Sequence, residues 1–542
     1  MKNQIALAVA WVVLGGVLLA QPYIPPGSVT NDATNAPSRL PAGTIAPGSR
    51  FAVRGSGLGP TAAASLDSYP AGTTLAGVAV VAVSGGVTYN CYPFYVSDTL
   101  VEAVLPSTVP VGGAVIRVTY ASQTSNSGAV TVAAHSPGLY SVNVKGEGPG
   151  QISDYASAAG KLISSTTAPG KRSTTASILA TGLGASAQPD NQVPPQQNLP
   201  YTVSVLVGGQ TATRLIFAGR SNKHPGADQI IFQVPVTALL GCYVPVQILV
   251  NGVPSNLVTV ALSATGAACA DPGNPVSSAI GRAGNVVLGA LLRTDMLIQG
   301  NHLIADLAAT GAWQMTANSF AFERSISLPP AGSCTAYMSR GDVTRATLSV
   351  HLSDTLIDGG TLNISGPNGG KAVAGNSFAF LGAQGVIVSP NPGLPYLSPG
   401  PYTLSSTGGA TVGPYSVSPT LDAPVIWTNQ ASIQSVNRSL GVTLQWSGAG
   451  SRQVLISGAA ALADGSASAQ FLCVAAAGTT SFTVPASVLQ LLPAVPVNGV
   501  PISGQLSLGA FASGTPAVFS ATGINFGAMV IQVMTGQPVL YQ

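Results

Sequence analysis

Four histidines and 17 Asp or Glu residues carry most of the acid–base chemistry available to this 542-residue chain. The histidines are His135, His224, His302 and His351, and no two share a short segment. Close His–carboxylate pairs include His302 with Asp306 and His351 with Asp354. Residues four apart on a strand share a face, so His302 and Asp306 have the spacing to meet one ligand. A metal site usually needs three or four ligands, and a pair alone is not one. Both pairs therefore read as solvent-facing polar positions. Glycoside hydrolysis needs two converging carboxylates, yet the only glutamates are Glu102, Glu147 and Glu323. Asp354 and Asp358 lie together in SDTLIDGG, but the segment lacks the dense oxygen ligands of a calcium loop. They read as turn formers. There is no G-x-S-x-G, and a folded-together Ser–His–Asp triad is a matter of geometry, not spacing.

The remaining candidates bind rather than react. Arg214, Arg220, Lys223 and His224 form the one local cationic cluster, read as a solvated loop because cations normally sit at the surface. Tyr89, Tyr92, Phe94 and Tyr95 have the right types for a sugar-stacking platform. Their parity divides them between two strand faces, which favours core and cross-strand positions. Trp427 and Trp446 are expected to fill the last core.

The elements that must position these residues are strands. Short runs alternate apolar and polar, as in Ile116, Val118 and Tyr120 against Arg117 and Thr119. Gly, Pro, Asn and Ser cut the runs, and helical periodicity is hard to find. Charged residues make up 7% of the chain, against about 25% in an ordinary soluble domain. With 46% apolar residues and a net charge of +3, the chain fits neither disorder nor a nucleic-acid binder, which needs a basic stripe.

Residues 1–20 have the form of a signal peptide, with Lys2 ahead of the apolar run Ile5 to Ala20. The competing reading is an uncleaved anchor. Residues 21–43 are Pro-, Asn- and Thr-rich and read as a flexible leader. Five cysteines suit an oxidising compartment. Two bridges and a leftover thiol allow fifteen arrangements, among which Cys242 with Cys269 is preferred for closeness in sequence.

The chain also repeats itself. Gly57-Leu58-Gly59 recurs as Gly182-Leu183-Gly184, 125 residues on, and Ser125-Asn126 recurs as Ser255-Asn256, 130 residues on. The drift implies a small insertion, placed around residues 220–227. Two tandem units follow, 44–134 and 135–265, and the first, at about 90 residues, is the size of an immunoglobulin-like sandwich. Gly57, Gly59, Gly182 and Gly184 read as structural turns, since neither copy continues as a phosphate-cradling helix opening. Beyond them, 266–422 reads as a β-rich domain and 423–542 as a C-terminal sandwich. The fold class is all-β, with tandem immunoglobulin-like β-sandwich domains.

The pattern A-P-G…G-x-G-L-G, then Asp228-Gln229-Ile230-Ile231-Phe232-Gln233-Val234-Pro235 and Ser255-Asn256-Leu257-Val258-Thr259-Val260, resembles a family of exported acidobacterial proteins. Their Solibacter uncharacterised C-terminal domain is similar to IPT/TIG modules. Both copies carry the pattern, although Leu100-Val101-Glu102 departs from it. The resemblance implies strands and turns and brings no activity with it. The expectation is an exported, non-enzymatic interaction or adhesion module at the cell surface, with no cofactor and no metal. Its partners would be extracellular protein or polysaccharide surfaces, self-association included, and not nucleic acid. The alternatives are a carbohydrate-binding module set and a hydrolase with a shallow site in 266–422.

Overall fold

A computed structural model describes residues 21–66, 68–341, 355–385, 393–495 and 503–542. The apolar segment 1–20, His351 and Asp354 lie outside these. The described chain is built almost wholly from strands. Alternation is the cause: in Val442–Ser447 the buried residues are Leu444 and Trp446, every second position.

The first sandwich packs a five-stranded sheet, ordered 29–31, 50–54, 100–104, 92–96, 64–65, on a six-stranded one centred on 78–84 and 112–120. Phe51, Val53, Val101, Val80, Ile116 and Val118 fill the space between. The second sandwich repeats the scheme. Strands 175–181, 228–233 and 214–220 stand where 50–54, 100–104 and 92–96 stand in the first, and 203–207 with 241–250 replace 78–84 with 112–120. The loop between equivalent strands is 97–99 in the first copy and 221–227 in the second. That difference accounts for most of the drift in the repeat.

Two expectations are corrected here. Residues 21–43 are not a loose leader. Val29–Asn31 pairs antiparallel with Phe51–Val53, and Ile24, Val29, Ala36 and Leu40 are buried. A few apolar side chains at the right spacing outweigh a Pro- and Asn-rich composition. Nor are 266–422 and 423–542 separate domains. They share one nine-stranded sheet, ordered 333–340, 467–475, 454–461, 504–511, 526–538, 284–298, 301–315, 377–384, with 517–519 added beside 526–538. Its central joint is a parallel pairing of 284–298 with 526–538. Local pattern identifies a strand but not its distant partner, which is why the sequence suggests a division there. Two smaller sheets cover this long one. The four strands around 362–366 and 403–406 close one core, and the three strands 426–427, 442–447 and 481–484 close another around Trp427 and Trp446.

Disulfides join Cys242 to Cys269 and Cys334 to Cys473. The second links residues directly opposite in adjacent strands. Cys91 is a buried free thiol whose pKa is raised by that burial.

Candidate functional site

A concavity lies in the C-terminal half. It is an open cleft of about 540 Å³ lined by Leu356, Asp358, Thr361, Asn376 and Thr407, among others. Strand edges and glycine turns shape it. The Asp358 carboxylate accepts the Gly360 N–H at 2.9 Å and the Ala410 N–H at 2.8 Å. These two bonds, Ala410 first, hold its pKa below the ordinary carboxylate value. Asn376 sets the wall by accepting the Ala312 N–H at 2.7 Å and donating to the Ile357 carbonyl at 2.8 Å. The cleft therefore offers hydrogen bonds from a fixed frame. Its described lining holds one carboxylate, where glycoside hydrolysis uses a converging pair.

Beside the cleft runs an apolar strip. Phe378 and Phe380 lie on the edge strand Ser377–Gln384, opposite Ala309 and Leu307, and are 53% and 43% exposed. Positions two apart share a face about 7 Å apart. Leu356, 58% exposed, is bridged to Trp313. Trp313 lies four residues from Ala309, so Leu356 joins the same face as the two phenylalanines. The period-2 phenylalanines in SFAFLG were a signal for this strip. Nothing in the sequence marked the edge as open.

The sequence-derived candidates lie elsewhere. His302 bonds Asp295 at 2.7 Å near the exposed tip of the hairpin 284–315. Among the described residues no Ser or Thr hydroxyl joins that pair. Asp306 is fully buried and takes the guanidinium of Arg293, its cross-strand partner, through two bonds of 2.7 and 2.6 Å. It also accepts the N–H groups of Tyr396 and Leu397. Sharing a face did not make His302 and Asp306 a site, because each is taken by the opposite strand. Among the described residues no group of three or more His, Cys, Asp and Glu gathers as for a metal ion.

The supposed cationic loop is corrected as well. Arg214 and Arg220 occupy the two ends of one strand, about 20 Å apart at about 3.3 Å per residue. Arg220 is buried and ion-paired with Asp228, and it donates to the Gly184 carbonyl. Burial works against its charge, but Asp228 and Asp190 outweigh it and the guanidinium pKa is raised. Asp190 in turn accepts the N–H and Oγ–H of Ser107 in the first sandwich at 2.6 and 2.7 Å. This network is the junction between the two sandwiches. Gly48, at φ +73°, leaves it room, since a Cβ there would stand 2.1 Å from Arg220 Nη2. The aromatic run forms no platform, in line with its parity. Tyr89 lies in one sheet and Tyr92 and Tyr95 in the other, while Phe94 is buried under the Arg50 guanidinium.

Of the four turn glycines, Gly57, Gly182 and Gly184 have positive φ. Gly59 does not. It is needed for close approach, because a Cβ there would come within 2.9 Å of the Ser97 carbonyl oxygen.

No protein-family model matches the chain, and no curated protein matches it in sequence. Among the solved structures with a faint likeness are the following three. The surface protein SGBP-B from a xyloglucan utilization locus of Bacteroides uniformis is 10% identical, with 95% of this chain and 97% of that one covered and a TM-score of 0.16. Domains 5–6 of the S-layer protein SbsC are 11% identical, covering 44% of this chain and 98% of that one, with a TM-score of 0.17. A gamma-CGTase from the alkalophilic Bacillus clarkii is 13% identical, with 45% of this chain covered and a TM-score of 0.14. This chain spans only 28% of that enzyme's length. Scores so low carry no argument about ligand or activity, and the tandem β-sandwich fold is read from the sheets themselves.

Proposed function

We propose that this chain is an exported β-sandwich protein that works by binding at a surface outside the cell and not by catalysis. The observation that supports this reading is the strip of Leu356, Phe378 and Phe380 exposed beside a hydrogen-bonding cleft on a strand-built frame. Exposed aromatic and apolar side chains at the rim of a polar concavity suit contact with another surface. Two disulfides suit an oxidising compartment. Among the described residues no helix is long and apolar enough to cross a membrane.

A second reading, binding of an uncharged polysaccharide, is favoured by the same strip. Flat aromatic faces about 7 Å apart stack on sugar rings while the cleft supplies hydrogen bonds. A glycan panel with the purified protein distinguishes the two. Retention of a neutral glycan that disappears in the Phe378→Ala/Phe380→Ala double variant supports the second. Silence on the panel, with concentration-dependent association that the same variant abolishes, supports a protein contact. Hydrolysis of a glycan, ester or peptide that is lost on a single Asp or Ser substitution would overturn both.

A further inference from the structure

The Ser-Asn pair of each tandem unit performs one task. In the first sandwich Asn126 Oδ1 accepts the Ile24 N–H at 2.7 Å, and Nδ2 donates to the Ile24 carbonyl at 2.8 Å. In the second, Asn256 does the same to Leu139 at 2.8 and 3.0 Å. The serines brace both amides alike. Ser125 Oγ accepts the Val118 N–H at 3.0 Å and donates to the Asn126 carbonyl at 2.7 Å. Ser255 repeats this with Ile248 and Asn256 at the same two distances. An amide that takes both backbone groups of one extended residue stands in for a neighbouring strand. It reads no side chain.

What Asn126 holds is the segment 21–31. Val29 and Asn31 of this segment pair with Val53 and Phe51 of the strand 50–54, and Tyr23 bridges Ser56. Ile24 and Val29 are its contribution to a core otherwise built from residues 45–132. Gly128 leaves room for them, since a Cβ there would stand 2.7 Å from Val29 and 3.0 Å from Ile24. Pro22, Pro25 and Pro26 restrict the backbone of the segment even when it is released, which lowers the cost of seating it. Asn31 then turns the chain out of the sheet by accepting the N–H groups of Ala33 and Thr34 at 2.9 and 3.2 Å. Beyond the turn, Ala36, Leu40 and Ala42 enter the C-terminal core with Trp427 and Trp446. In the second sandwich the clamped strand lies between the two sandwiches in the chain. In the first it lies ahead of both.

We propose that the groove between Asn126 and the strand 50–54 is an acceptor site for an extended strand. Segment 21–31 of the same chain fills it in the monomer, and that segment of a second copy fills it in a strand-exchanged pair. The occupant follows from the site, because the ladder and the seats of Ile24 and Val29 already fit this sequence and every copy carries it. Exchange keeps the contacts of the groove and changes only which chain supplies the strand, a low-cost route to association. The turn at Asn31 is the hinge. Straightened, residues 31–35 give roughly 16 Å of reach at about 3.3 Å per residue, while 36–43 stay in their own C-terminal core. Opening the hinge breaks the bonds of Asn31 Nδ2 to the Ser136 carbonyl and of Asn35 Nδ2 to the Val144 carbonyl, so exchange is slow. It is independent of the strip at Phe378 and Phe380.

The test mixes two forms of the full chain, Val29→Cys and Val53→Cys, both also carrying Cys91→Ala, and holds them concentrated, warm and mildly oxidised. The Arg54 N–H bonds the Ser28 carbonyl, so Val29 and Val53 form the closely spaced kind of opposite pair, which suits a disulfide. The result expected is a disulfide-linked heterodimer from the mixture and not from either form alone. Its yield is expected to survive Phe378→Ala/Phe380→Ala. A mixture that stays monomeric while the chain with both cysteines closes on itself overturns the exchange, as does a dimer lost with the two phenylalanines. Should a cysteine variant fail to fold, a fluorescent peptide of residues 21–31 is warmed with the native chain. Uptake is expected to be about tenfold weaker, or more, for the same peptide carrying Ile24→Asp. Equal uptake of the two peptides, or uptake of neither, overturns the acceptor site.

Discussion

Asp271 offers a direct test of how the junction between the second sandwich and the C-terminal half responds to charge. It lies two residues after the bridged Cys269, and its Oδ2 is buried without a hydrogen-bond partner. Burial raises its pKa from 3.8 to about 6, while the backbone N–H groups of Gly273 and Asn274 restrain the rise. A folded pKa above the unfolded one means that the folded state binds the proton more tightly. Stability from this group is therefore complete below pH about 4, declines as pH rises, and is lost above about 6. A difference of about two pH units corresponds to about 3 kcal/mol of unfavourable ionisation at pH 7. Asp271→Asn removes the charge, but it places a donor where Oδ2 already lacks a partner, an offset of about 1–3 kcal/mol. The offset does not change with pH, so relative to the native protein the variant gains about 2–2.5 kcal/mol between pH 4 and pH 7.5. The measurement is chemical denaturation of both proteins from pH 4 to 8, read as their difference so that other carboxylates cancel. Parallel curves across that range would refute the reasoning, because they would mean that Asp271 titrates alike in both states.

Two further outcomes follow from the junctions. Arg220→Ala leaves Asp228 buried without its partner, so we expect a loss of about 3–5 kcal/mol. Small-angle scattering should show the two sandwiches reorienting, whereas an unchanged profile would mean that other contacts fix them. Removing the Cys334–Cys473 bridge by Cys334→Ser/Cys473→Ser should cost about 2–5 kcal/mol, read as a lower unfolding midpoint than the native protein's without reductant.

The strand class was legible because period-2 alternation and turn residues are local. Val442–Ser447 shows its buried face in its own letters, as do Val130 and Val132 on either side of the exposed Thr131. Partnership was not legible. Gly284–Ile298 could have paired with any apolar strand, and its neighbour in the sheet proved to be Phe526–Pro538, more than two hundred residues away. The candidate site was the least legible part. Asp358 shows in the sequence as a turn residue, whereas the cleft beside it depends on how 356–361, 375–376 and 407–409 converge. Arg220 shows a related failure. A cation beside Ser, Asn, Lys and His looks solvated, and only the fold reveals that Asp228 and Asp190 await it.

The scarcity of charge gains a different meaning from where the charges sit. Arg220–Asp228 and Arg293–Asp306 are largely or fully buried, and Arg324–Glu147 is mostly so, whereas Arg39–Asp464 is the well-exposed pair. Three of these pairs join segments far apart in the chain or fix the sandwich junctions. Glu147 and Arg324 tie the second sandwich to the C-terminal half, and Asp306 anchors Tyr396 and Leu397 as well as Arg293. Buried ion pairs add little net stability over apolar packing, because desolvation consumes most of the attraction. Their effect here is to specify which surfaces meet and in what orientation. A chain with 37 charged residues that commits several of them to internal junctions has fewer left to guard its exterior. The uncharged edge strand Ser377–Gln384 is one result, and natural sheets commonly use charge to keep such edges from pairing. Fixed internal geometry and weakly guarded exterior edges thus follow from the same placement of charge.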